Sequence, residues 1–166
     1  VALRHFRTAL AVETKGDGSP VTRADREAEE AARAWIERRF PADGIVGEES
    51  GTTRPDAARR WFVDPIDGTR TFVRGVPLWG SMVGIVEGDT VLAGAIHYPA
   101  VDECIAAARG TGCWLNGVRC HVSEVSDLAR AAVMTTDERF AHDARQKRAW
   151  DALTAREAFV DRKTHV

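Results

Sequence analysis

Between Thr22 and Phe40 apolar residues return at helical spacing, whereas from Gly44 to Val122 they fall in short runs broken by glycine, proline and acidic residues. The first pattern predicts one amphipathic helix and the second a succession of strands. Ala24, Ala28, Ala31, Trp35 and Phe40 mark the apolar face of the helix, with Arg23, Arg26, Glu29, Glu30, Arg33 and Glu37 on its solvated faces. Thr22 stands where an N-cap belongs, Asp25 completes a shortened capping box, and Pro41 follows the end. Ahead of it, residues 2–12 read as another helix, closed by the turn-forming stretch Thr14-Lys15-Gly16-Asp17-Gly18-Ser19-Pro20. This helix starts already under way and without an initiator Met, so the chain is expected to be trimmed at its front.

Gly44-Ile45-Val46-Gly47 predicts a short strand that delivers Glu48 and Glu49 at its end. The next strand, Trp61-Phe62-Val63, reads as buried and runs into Asp64, so two neighbouring strands end in acids. Between them residues 50–60 are polar and carry Gly51 and Pro55, which predicts a mobile loop. Residues 81–86 and 91–96 flank Gly88-Asp89 as a hairpin, and 103–108 and 112–115 add two strands. Asn116-Gly117 is a type I′ turn signal that leads into residues 118–122. The whole stretch predicts an antiparallel meander with a buried face, in which His97 and His121 are structural. Residues 143–157 read as a charged helix and 158–160 as the start of a further strand.

The most informative stretch is Asp64-Pro65-Ile66-Asp67-Gly68-Thr69. Pro65 fixes its own φ and drives Asp64 into an extended conformation, so two carboxylates three apart can converge on one cation. Gly68 lets a ligand approach the backbone, and Thr69 adds a hydroxyl where a helix begins. The free N–H groups of such a helix start would suit a phosphate, with Arg70 and Arg74 as assisting or merely exposed cations. The same residues suit an ordinary strand-ending turn, and on this stretch alone both readings stand. Lys15 reads as a solvated loop cation and Asp25 as a cap; both are further site candidates because of where they sit.

Composition narrows the classes. The 166 residues, 44% hydrophobic and 29% charged, suffice for a single domain, taken as residues 1–166. A net charge of −2 and a pI near 6.2 argue against nucleic acid as a partner. No run approaches the ~20 apolar residues that cross a bilayer. Cys104, Cys113 and Cys120 form no CxxC pair, which disfavours zinc and a disulfide framework and suggests reduced thiols in the cytoplasm.

Together these pieces resemble the magnesium-dependent, lithium-sensitive inositol monophosphatase superfamily. Asp64 to Thr69 with Phe72 matches its first signature, Gly47-Glu48-Glu49-Ser50 its Gly-Glu-Glu element, Val21-Thr22 with Asp25 its helix start, and Gly112-Cys113-Trp114-Leu115-Asn116-Gly117 its glycine-rich hairpin. The resemblance covers essentially the whole chain and implies an α/β layered sandwich, with helices packed on a largely antiparallel sheet. It implies that Glu48, Asp64, Asp67 and the Ile66 carbonyl ligate magnesium, with two or three ions in a complete site. Glu48 and Thr69 would orient the attacking water, and Asp67, Gly68, Thr69 and Arg70 would hold a phosphomonoester, so that metal-assisted in-line attack follows. A homodimer is also implied, with Trp79 or Trp114 at the contact.

One expected motif is missing. The family's second signature, Trp-Asp followed by small residues, is imitated by Trp150-Asp151-Ala152-Leu153, which lies on a charged helix too close to the first signature. The sequence is therefore expected to end before the C-terminal part of the fold, and this chain alone to bind magnesium weakly. Two branches compete for substrate. Val133 to Phe140, with its Thr135-Thr136 pair, and the Thr69-Arg70-Thr71-Phe72 stretch resemble the histidinol-phosphatase branch. L-histidinol phosphate is thus the favoured ester and inositol 1-phosphate the alternative, with adenosine 3′,5′-bisphosphate and fructose 1,6-bisphosphate less favoured. A reading of another class is a non-catalytic module that binds a phosphorylated ligand.

Overall fold

The computed structural model describes residues 1–127, 130–134, 144–155 and 159–161. They fall into two compact units, residues 1–121 and 122–166. In the first, a β1 (Val12–Thr14) and β2 (Pro20–Thr22) hairpin leads into helix α1 (Arg23–Arg39). There follow β3 (Gly44–Gly47), β4 (Gly51–Thr53), β5 (Arg59–Asp67) and a short helix α2 (Thr69–Val73). The remaining strands are β6 (Gly80–Glu87), β7 (Thr90–Tyr98), β8 (Glu103–Ala108), β9 (Gly112–Leu115) and β10 (Val118–Cys120).

Eight strands form one sheet in the order β10-β9-β8-β7-β6-β5-β3-β4. Its ladders are antiparallel except between β3 and β5, which run parallel. That exception positions the site, because two parallel neighbours release their C-terminal ends at the same edge of the sheet. The predicted meander is present, turned by Gly88 and by Asn116-Gly117, all with positive φ.

Helix α1 begins as predicted: the Thr22 hydroxyl accepts from Ala24 N, and Asp25 closes the capping box. The core lies between this helix and one face of the sheet. Ile36, Ile45, Trp61 and Val63 form one buried cluster, with Ala32, Val83 and Ile85 against it. A second cluster joins Ala24, Ile66, Phe72, Trp79 and Ala2. On the opposite face Phe62, Met82, Gly84, Gly94, Ile96 and Ala107 line a trough of about 1050 Å³.

Several expectations are corrected. Residues 2–12 are not an α-helix: a 3-10 turn spans Ala2–Arg4, Arg7 has φ 61°, and β1 starts at Val12. Phe6 is held by Phe72 and Trp79, at 5.6 and 5.5 Å between ring centres, and the left-handed Arg7 turns the chain away from helical continuation. The loop expected over 50–60 contains β4 and the first two residues of β5, Arg59 and Arg60. The buried residues of α1 are Ala24, Asp25, Glu29 and Ile36, with Ala28 and Ala32 half-buried on the same stripe, whereas Ala31 and Trp35 are exposed. Of the predicted strand Trp61-Phe62-Val63, Trp61 and Val63 are buried, while Phe62 points to the trough, as strand alternation requires. Trp79 is 1% exposed and stacks edge-on with Phe72, so it is a core residue rather than a contact for a second chain.

The second unit comprises β11 (Ala132–Met134), α3 (Ala144–Thr154) and β12 (Phe159–Asp161), with β11 and β12 paired in parallel. On α3 Lys147 donates to Asp151 across one turn, at 2.9 Å, in keeping with a charged helix at Trp150-Asp151. The Thr135–Phe140 stretch lies outside the described residues. Among the described residues no helix is long and apolar enough to cross a membrane.

Candidate active site

Asp64 and Asp67 lie three residues apart, and in a regular strand that spacing points side chains to opposite faces. The β5–β6 ladder resolves the conflict. Asp64 pairs with Met82 and Asp67 with Gly80, so three steps on β5 oppose two on β6. This bulge inserts one extra residue and returns both carboxylates to the same face. Pro65 and Ile66 occupy the irregular segment, and Asp64 Oδ1 accepts from the Ile66 N–H at 3.1 Å. Glu48 follows β3 directly, and its N–H bonds the Val63 carbonyl at 3.1 Å, which sets it beside Asp64.

Glu48 is within hydrogen-bonding reach of Asp64. Burial first, then that hydrogen bond and the charges of Glu48 and Asp67, raise the Asp64 carboxyl to about 7; the Ile66 N–H partly opposes them. Burial and neighbouring negative charge thus both oppose ionisation of Asp64.

Two residues steady the Glu48-Glu49 tip. Glu29, fully buried on α1, accepts from Glu49 N at 2.7 Å and Ser50 N at 3.0 Å, and from Arg33 Nε at 2.7 Å. Burial alone would raise its carboxyl, but these donors hold it below the usual carboxylate range. A Cβ on Gly47 would collide with the Glu29 carboxylate, so the glycine is what lets this helix residue reach the hairpin. From the β1–β2 turn Lys15 Nζ donates to Oε1 of Glu48 and of Glu49, both at 2.7 Å. Burial opposes the Lys15 charge, but the two carboxylates hold its ammonium above the ordinary value. Glu49 is itself pushed up, by burial first and then by Glu48 and Asp25, against the pull of Lys15.

Across the cluster Asp25 does more than cap. Its Oδ2 accepts from the Thr22 N–H and hydroxyl, both at 2.7 Å, while Oδ1 stands 3.2 Å from the Thr69 hydroxyl. The Ile66 carbonyl is a second acceptor for that hydroxyl, at 3.0 Å. The single Thr69 proton is therefore directed inward and the oxygen lone pairs outward. Gly68 has φ 87°, and a Cβ there would meet Leu78 O and the Thr71 hydroxyl at 3.0 Å, so glycine is required on both counts. The Gly68 and Thr69 N–H groups open α2, whose first carbonyl, Gly68 O, accepts from Phe72 N at 2.9 Å.

The structure thus brings together Glu48, Asp64, Asp67, the Ile66 carbonyl, Gly68 and Thr69, and adds Asp25 and Lys15. Arg70 stays apart: it is exposed on α2, and its carbonyl accepts from Arg74. Sequence reasoning missed Glu29, placed among the solvated charges of the helix. Its signal was position, since Asp25 and Glu29 are one turn apart on the face that meets the strand ends.

A fold of this topology, with acids at the ends of two parallel strands and a bulged Asp-Pro-Ile-Asp-Gly-Thr segment, defines a class that the comparisons then specify. The Inositol monophosphatase family model matches residues 1–162, and the chain belongs to that family. Histidinol-phosphatase of Chlorobaculum parvum is 41% identical over 137 residues, 82% of this chain and 53% of that protein. A fructose-1,6-bisphosphatase/inositol-1-monophosphatase of Aquifex aeolicus is 35% identical over 123 residues, 74% of this chain and 47% of that protein. The solved structure of the extragenic suppressor protein suhB of Bartonella henselae superposes with a TM-score of 0.86 at 28% identity, covering 96% of this chain and 63% of that one. The chain therefore spans about half the length of the curated relatives it matches.

Proposed function

We propose that this chain carries the cation- and phosphate-binding part of a magnesium-dependent phosphomonoesterase. The observation that carries the reading is the β5 bulge, which turns Asp64 and Asp67 to one face beside Glu48. The donor chemistry fits a hard divalent cation, since every candidate ligand is a carboxylate or carbonyl oxygen. Burial, with the neighbouring carboxylates adding to it, disfavours the charged form of Asp64, and a bound cation would relieve both effects; Lys15 already neutralises part of the charge on Glu48. The fit is partial: among the described residues no three acidic, histidine or cysteine side chains close on a single point. Glu48, Asp64, Asp67 and the Ile66 carbonyl would hold magnesium, which when bound supplies Lewis-acid activation of water and charge neutralisation at the phosphate.

The chain's own residues do the rest. Thr69, its proton committed to Asp25 or to the Ile66 carbonyl, accepts a hydrogen bond from the attacking water and fixes one lone pair toward phosphorus. Glu48 accepts that water's other proton. The Gly68 and Thr69 N–H groups hold the phosphoryl oxygens, and Arg70, exposed on α2, is left without a part in the cluster. The P–O ester bond breaks as the water oxygen bonds to phosphorus, the leaving alkoxide takes a proton from solvent water, and Glu48 releases the proton it accepted to solvent.

For the ester, L-histidinol phosphate is favoured by the Thr69-Arg70-Thr71-Phe72 stretch and by the histidinol-phosphatase relative. Inositol 1-phosphate is the second reading, favoured by the bifunctional relative. Phosphate release from each ester, with and without magnesium and against Asp67→Asn, tests the proposal. Magnesium-dependent release that Asp67→Asn abolishes is expected, faster from histidinol phosphate. Release that survives the substitution overturns the site, and faster release from inositol 1-phosphate overturns the choice of ester.

A further inference from the structure

The β9–β10 hairpin sets two thiols in register. Asn116 and Gly117 have φ of 49° and 78°, the left-handed pair of a two-residue type I′ turn. The turn aligns Leu115 with Val118, Trp114 with Arg119, and Cys113 with Cys120. Alternation then puts Cys113 and Cys120 on one face, with Trp114 and the Arg119 guanidinium, 5.9 Å from the indole ring, on the other. Both thiols are partly accessible. The proximity of Cys113 first, with burial second, holds the Cys120 thiol above its ordinary value. Cys104 is excluded from the pair. Its neighbour Ile105 pairs with Leu115 on the Cys113 face, so Cys104, opposite His97, points to the other side of the sheet.

We propose that Cys113 and Cys120 form a redox-active dithiol, closed to a cross-strand disulfide by peroxide-class oxidants and reopened by low-molecular-weight thiols. Directly opposed antiparallel residues have Cα atoms about 4.5–5.5 Å apart, inside the roughly 4.4–6.8 Å that a disulfide spans. With hydrogen peroxide, one sulfur attacks a peroxide oxygen and the O–O bond breaks. A sulfenic acid forms, and the departing hydroxide takes the thiol proton to become water. The second sulfur attacks the sulfenic sulfur, the S–O bond breaks, the S–S bond forms and a second water leaves. Two thiols are oxidised and one peroxide is reduced to two waters. Two molecules of glutathione reverse the change through a mixed disulfide and depart as glutathione disulfide. The ring would enclose only the hairpin turn, so the bridge constrains the unfolded chain less than one that closes a long loop. Accessible sulfurs in a short ring suit reversible chemistry.

The test uses the reduced 166-residue chain, treated with graded hydrogen peroxide and then alkylated. Arg119 lies between the two cysteines, so trypsin separates Cys113 from Cys120 unless a disulfide joins the fragments. The expected result is a fall from three free thiols to one, a mass loss of two hydrogens, and linked fragments that dithiothreitol separates. Cys104→Ser should behave the same, whereas Cys113→Ser and Cys120→Ser should each lose the link. Retention of all three thiols, oxidation without linkage, or bridges through Cys104 or between chains would overturn the assignment. None of these readouts depends on phosphate-ester hydrolysis, so the two proposals stand or fall separately.

Discussion

Gly47 stands where α1 meets the β3–β4 hairpin, and the absence of its Cβ admits the Glu29 carboxylate. Through that contact one buried helix residue sets the backbone of Glu49 and Ser50 and so the aim of Glu48. Gly47→Ala should cost about 1–3 kcal/mol, the usual penalty of overpacking a closed site, read as a lower urea midpoint. A neutral outcome would mean that Glu29 is free to move away. Glu29→Ala should cost more, on the order of 3 kcal/mol, because Arg33 and two N–H groups lose their shared acceptor. Individual acids were legible in the sequence: Glu48, Asp64 and Asp67 stand at strand ends among turn residues. Glu29 was not, because helical spacing says which face a residue occupies but not what the neighbouring element offers that face.

Elements carry two further devices. The β5 bulge is one: no local signal beyond Pro65 shows that an extra residue would restore alternation, since register is settled only by pairing with β6. The helix start is the other, and here Thr22 and Asp25 were readable because the capping box is local. Thr22→Val should destabilise by roughly 1 kcal/mol, seen as a drop in Tm; an unchanged Tm would show that the buried Asp25 needs no cap partner. Just before β3, Asp43 accepts from Arg59 Nε at 2.7 Å and Trp61 Nε1 at 2.8 Å, tying the β3 entry to β5. The Arg59 hydrogen bond first, then the Trp61 bond and nearby guanidinium charge, holds its carboxyl below the ordinary value against the effect of burial. A depressed carboxylate stabilises the fold above its unfolded pKa and loses that contribution as pH falls through the folded one. The stability gap between wild type and Asp43→Asn should thus be full at neutral pH and shrink below about pH 4, measured by urea unfolding. A gap that does not vary with pH would contradict the ionic account.

Within residues 1–121, the sheet order, the parallel β3–β5 pair and the position of α1 all serve to gather acids at one end of these strands. The strands from β6 to β10 were legible because glycine turns and alternation are strong local signals. The first residues were misread as helix because Phe6, which looks amphipathic in sequence, is claimed by Phe72 and Trp79 far along the chain. The central claim is that Glu48, Asp64 and Asp67 together hold a divalent cation. Calorimetric titration of magnesium into this chain, compared with Glu48→Gln and Asp67→Asn, tests it most directly. Saturable binding weaker than micromolar is predicted, since no three side chains close on one point among the described residues, and both substitutions should remove it. Binding that survives them, or no saturable binding at all, would contradict the account.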